Sequence, residues 1–85
     1  MKKLAEMVNQ KLEEGKLLTV GIQSNGVSFV DSVVPESLID DDECLYIEGD
    51  NLILNISKEE VSEVVFNEIE EEYIVKCSDS VYLLS

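Results

Sequence analysis

From Leu18 onward, apolar side chains return at every second position, and short polar turns cut the pattern into segments. Leu18, Val20 and Ile22 alternate with Thr19 and Gly21. Further on, Leu52, Leu54 and Ile56 alternate with Ile53 and Asn55. A period of two sends successive side chains to opposite faces, so each segment can bury one face as a half-buried strand. Ser24-Asn25-Gly26 separates the first two segments, and Asn-Gly is the strongest short hairpin signal because both residues tolerate positive φ. The stretch patterned in this way is expected to form an antiparallel sheet.

The rest of the pattern predicts the remaining elements. Val27 to Val33 is a second strand. Pro35-Glu36-Ser37 reads as a turn or one-turn helix reaching about Asp40. Cys44 to Glu48 and Leu52 to Ile56 flank a Gly49-Asp50-Asn51 turn. Ser57 with Glu60 three residues on fits a capping box, predicting a helical turn from Lys58 to about Glu63. Val64 to Ile69, Glu72 to Cys77 and Val81 to Leu84 complete the strands, joined at Glu70-Glu71 and Ser78-Asp79-Ser80.

Ahead of the strands the period is helical. Over residues 2–14, Leu4, Met7, Val8 and Leu12 fall on one stripe, with Gly15 placed to terminate the helix and Lys11 and Lys16 near the negative end of its dipole. The expected fold is α+β, one domain over residues 1–85. Its N-terminal amphipathic helix packs on a strongly twisted antiparallel sheet, or a small open barrel, of six or seven short strands (about 16–84).

Composition excludes several functions. Nineteen acidic residues face six lysines, and there is no arginine, histidine or tryptophan, for a net charge of −13. Without histidine there is no Ser-His-Asp or Cys-His catalysis and no imidazole base. Without arginine there is no bidentate phosphate clamp. Direct nucleic-acid binding is opposed by the sign of the charge, since phosphate contacts require cations. Cys44 and Cys77 cannot make a four-ligand zinc site alone. They read as reduced, half-buried thiols, with a single disulfide as the alternative. No apolar run approaches the ~20 residues of a membrane span. Glu6, Asn9 and Gln10 follow Lys2 and Lys3 too closely for a signal sequence, so the expected location is cytoplasmic, with no membrane partner.

The charge is unevenly distributed. Between Leu17 and Val75 there are 15 acidic residues and one base, Lys58. Asp40-Asp41-Asp42-Glu43 forms one cluster, extended by Glu48 and Asp50. Glu68, Glu70, Glu71 and Glu72 form another, with Glu59, Glu60 and Glu63 upstream. If the strand continues through the second cluster, Glu68, Glu70 and Glu72 make a row spaced ~6.6 Å apart, comparable with successive phosphates. On a helical turn, Glu59 and Glu63 would lie ~6 Å apart. Neighbouring side chains in Asp40–Glu43 diverge and no D-x-D-x-D-G loop occurs, so no metal or cofactor is expected. The acids lie at turns and exposed faces, and no glycine-rich phosphate loop is present, so no enzyme is expected.

This profile resembles that of small acidic inhibitors encoded by phages and mobile elements, nucleic-acid mimics that block restriction enzymes, CRISPR nucleases or DNA-repair enzymes. The phage inhibitors of uracil-DNA glycosylase are similar in length, acidity and leading helix. They carry a Glu-Ser pair a few apolar residues before Pro-Glu-Glu. Asp31-Ser32-Val33-Val34-Pro35-Glu36 is the parallel here, with Asp for Glu, a shorter gap and Ser37 for the second Glu. It spans six residues, and no binding residue is carried over. The resulting expectation is a decoy whose Asp40, Asp41, Asp42, Glu43, Glu68, Glu70, Glu71 and Glu72 occupy the basic groove of a nuclease or other nucleic-acid-binding protein. The alternative is a non-enzymatic assembly module using an exposed strand edge or an apolar face, its acids serving solubility. In that reading Ile53, Val65 and Tyr82 would line a homodimer patch.

Overall fold

The computed structural model describes all 85 residues. The elements are α1 (Lys2–Glu14), β1 (Leu18–Ser24), β2 (Val27–Val33), β3 (Pro35–Asp40), β4 (Cys44–Gly49), β5 (Ile53–Ser57), a 3-10 turn (Lys58–Glu60), β6 (Val61–Asn67), β7 (Glu72–Cys77) and β8 (Ser80–Leu84). The fold is α+β, with two antiparallel sheets that do not close into a barrel. One has the order β2-β1-β8-β7-β6 and the other β3-β4-β5.

Helix α1 buries Leu4, Ala5 and Val8, with Met7 packed at the margin of the same core. It stops where Gly15 enters the left-handed region, and the Lys16 N–H donates back to the Lys11 carbonyl at 2.9 Å. The helix lies against β3. No helix is long and apolar enough to cross a membrane.

The core lies between the inner faces of the two sheets and the helix. Leu18, Val20, Val75 and Leu84 come from the five-stranded sheet; Leu45, Ile47, Leu54 and Ile56 come from the three-stranded one. Register follows the alternation. Val20 stands opposite Leu84, Leu45 opposite Ile56, and Ile47 opposite Leu54. Burying a side chain of this size contributes about 1.5–3 kcal/mol relative to exposure. The chain leaves the large sheet after β2 and returns at β6, so β8 seats the C-terminal segment between β1 and β7.

Two glycines make this path possible. Asn25 and Gly26 have φ of 50° and 79°, the all-positive turn that matches strand twist in a two-residue hairpin. Gly49 sits where the two sheets approach. A Cβ there would lie 2.0 Å from Cγ2 of Val33 and 3.2 Å from the Val34 carbonyl oxygen.

Several expectations are corrected. There are eight strands rather than six or seven, because Pro35–Asp40 is a strand and not a turn or one-turn helix. Proline is tolerated as the first residue of an edge strand, where its missing N–H costs no ladder bond. The helical turn after Ser57 is only Lys58–Glu60 and has no side-chain cap. Glu63 therefore lies on β6 and makes no i,i+4 pair with Glu59. β6 ends at Asn67, leaving Glu68–Glu71 in a turn. Tyr82 packs against the core instead of facing outward, since its register places it opposite Ile22 and Val75. Ile53 and Val65 are exposed.

Candidate acidic interface

The first cluster is built by the β3–β4 turn. Asp41 organises it: its Oδ1 accepts the backbone N–H groups of Glu43 and Cys44, each at 2.9 Å. Those two bonds hold its carboxyl below the usual aspartate range, helped by the Lys58 charge. Lys58 arrives from the other side, because Cys44 stands opposite Ser57 and the Lys58 N–H donates to the Glu43 carbonyl at 2.9 Å. Its ammonium pairs with Asp40 at 2.5 Å and also donates to the Asp41 carbonyl oxygen. The hydrogen bond to Asp40 and the surrounding carboxylates push the Lys58 pKa up. Asp42 and Glu43 make no ion pair and line an open groove of about 560 Å³ with Ser57, Lys58 and Glu59, with no hydrophobic residue among them.

The second cluster is the β6–β7 turn. Asn67 Oδ1 accepts the N–H groups of Ile69 and Glu70 at 3.0 and 3.2 Å, and Glu71 takes a φ of 52°. The turn closes where Asn67 stands opposite Glu72. Glu68 and Glu70 thus leave strand geometry, and the expected row with Glu72 does not form. Glu68 and Glu70 instead flank Ile69 along the turn, where Ile69 is 92% exposed. The two clusters sit toward opposite ends of β6, whose seven residues span about 20 Å. They are two patches rather than one row.

Of the eight expected site residues, Asp41 shapes the turn and Asp40 is paired to Lys58. Asp42, Glu43, Glu68, Glu70, Glu71 and Glu72 make no ion pair. Ile69 and Lys58 were not singled out as site residues. An Asn two residues before an apolar residue is an Asx-turn signal, and it could have placed Ile69 at a tip.

The wider electrostatics are one-sided. From Leu17 to Ser85 there are 16 acids and two lysines. Lys58 and Lys76 are already paired, to Asp40 and to Glu63 at 3.1 Å, leaving fourteen carboxylates without an ion pair. No charged or polar residue is buried, so all of them reach solvent. The other four lysines belong to α1 and Lys16 just beyond it. No three Cys, Asp or Glu side chains converge to hold a metal ion. Cys44 and Cys77 are free, half-buried thiols. Burial pushes both pKa values up, reinforced by Asp41 at Cys44 and by Glu60 at Cys77, which disfavours the reactive thiolate.

No protein-family model, curated protein or solved structure matches the chain.

Proposed function

We propose that this protein is a nucleic-acid-mimic inhibitor that occupies the basic groove of a nucleic-acid-processing enzyme, of the kind encoded by phages and mobile elements. The observation that carries the reading is the set of fourteen solvent-facing carboxylates on the sheet portion that have no ion-pair partner. Ordinary surfaces intersperse both signs. An unneutralised surface lowers stability through self-repulsion, and a partner's lysines and arginines would remove that repulsion on binding. The two acidic patches flank β6 and are separated by about its ~20 Å length, roughly the rise of six base pairs along the axis of a duplex at ~3.4 Å each. Asp42, Glu43, Glu68, Glu70, Glu71 and Glu72 have no ion pair and are free to meet such a partner, and Ile69 adds an apolar contact at the tip.

Affinity capture from host lysate at low salt, followed by a salt gradient, tests the reading. A basic nucleic-acid-binding protein should elute early in the gradient, because steering between opposite charges is screened by salt. A variant with Asp42, Glu43, Glu70 and Glu71 all changed to Lys should lose inhibition of the captured enzyme while remaining folded. Undiminished inhibition by that variant would remove the case for mimicry.

A further inference from the structure

The two sheets present four edges. β3 begins at Pro35 and shifts register between Pro35 and Ser37. β6 shifts between Val61 and Glu63 and runs between the acidic patches. β5 has only five residues. β2 differs from all three. Its seven residues pair with β1 without a bulge, from Leu18↔Val33 to Ser24↔Val27, and Asp31 is its only charge. It exposes Val27 (68%), Phe29 (50%) and Val30 (68%). A long, bulge-free, apolar edge is a template for another strand.

The hydrogen-bonding phase of that edge can be read. A two-residue turn with both φ values positive makes Ser24 and Val27 its closing hydrogen-bonded pair. Alternation then points the main-chain groups of Phe29 and Asp31 toward β1 and those of Ser28, Val30 and Ser32 outward. Thr19, opposite Ser32, agrees with this phase, since its N–H and carbonyl bond to Ser85 on the β8 side at 2.9 and 3.0 Å. The outward Ser32 N–H is already taken by its neighbour's carboxylate, Asp31 Oδ1, at 2.8 Å. Ser28 and Val30 remain.

We propose that β2 pairs antiparallel with β2 of a second copy, about a two-fold axis through Phe29, extending the sheet across both molecules. In this register Ser28 faces Val30 of the second copy and Val30 faces its Ser28, so the open N–H and carbonyl groups satisfy one another. Phe29 meets Phe29 in the close non-hydrogen-bonded position, ~4.5 Å between Cα atoms, where aromatic pairs are favourable. Asp31 faces Val27. An axis at Asp31 would oppose like charges, and one at Val30 would need the Ser32 N–H that Asp31 occupies.

Self-complementarity of the open main-chain groups at Ser28 and Val30 selects a second copy as the occupant. A basic partner is drawn to the acidic clusters; the carboxylates near β2 are Asp31 and, past its Val33 end, Glu36 and Asp50, which line one depression with it. The patches also do little to oppose this pairing. Each β6 lies four strands from its β2, so the two β6 edges are about 43 Å apart at ~4.8 Å per strand. That is several times the screening length of ~8 Å at ~0.15 M salt.

Sedimentation equilibrium from micromolar to millimolar protein should reveal a dimer that persists at ~0.5 M salt, where long-range repulsion is screened. Val30→Pro removes an outward N–H and no bond to β1, and should weaken the dimer roughly tenfold or more with the far-UV circular dichroism unchanged. In a Cys44→Ser, Cys77→Ser background, mild oxidation should cross-link Phe29→Cys into dimers but not Val65→Cys on the opposite edge. A monomer throughout the range, a folded Val30→Pro dimer of full strength, or no cross-link at position 29 would each overturn the proposal. If Val30→Pro does not fold, the cross-link decides. Salt resistance separates this contact from the inhibitor reading, whose complex dissociates in salt, so either can fail alone.

Discussion

At Gly49 the constraint is contact. A methyl group there would overlap the Val33 side chain, which is itself buried, so the junction between the sheets would have to open. Gly49→Ala should cost about 1–3 kcal/mol, the usual range for overpacking a filled site. At roughly 4–8 °C per kcal/mol for a domain of this size, calorimetry would register the loss directly. At Asp41 the constraint is charge. Its carboxylate accepts two backbone N–H groups, and its pKa is lowered accordingly. A group whose folded pKa lies below its unfolded value contributes stability above the unfolded value, near 3.9, and loses it as pH falls through the folded value. Asp41→Ala should therefore be less stable than the parent at neutral pH. The gap should close only once the pH drops below the ordinary aspartate range, as followed by melting temperature against pH. A constant gap at all pH values would mean that the turn does not depend on the ionised carboxylate.

Among the elements, β8 holds the large sheet together by joining its two hairpins, β1–β2 and β6–β7. Leu84, fully buried on β8 opposite Val20 and Tyr73, should be among the costliest truncations. Leu84→Ala is expected to lose about 2–5 kcal/mol, measurable by urea unfolding with an unchanged slope. The limits of α1 were readable because a helical apolar stripe stops at a glycine suited to the left-handed region. The β1–β2 hairpin was readable because Asn25-Gly26 admits one kind of turn. β3 was not. Pro35 is a common turn former, and its acceptance at the head of an edge strand depends on a neighbour, β4, supplied by tertiary structure. The division into two sheets was equally hidden, since alternation says which face is buried but not against what. At the candidate interface, the acidic clusters were plain in the sequence. Their arrangement was not, because the Asn67 side chain turns the chain at Glu68 and lifts Ile69 to the tip.

For the whole molecule the question is whether the unpaired acids strain the fold. Few lysines lie among them, and those from Leu17 onward are already engaged, so repulsion is relieved only by solvent ions. At ~10 mM salt the screening length is about 30 Å, comparable with the spacing between the patches; by ~1 M it is about 3 Å. Raising sodium chloride across this range should raise the melting temperature. Chloride is the better choice, because sulfate also strengthens apolar burial by exclusion from the protein surface. Charge reversal should act in the same direction. At low salt, Glu70→Lys with Glu71→Lys should melt higher than the parent, although neither carboxylate has an ion pair to lose or a core contact to disturb. The advantage should shrink as salt is added, since both treatments relieve the same repulsion. A melting temperature indifferent to salt, with no gain from the double substitution, would mean that the carboxylates are too dispersed to act on one another, and a groove lined with lysines and arginines would then gain little by meeting them together.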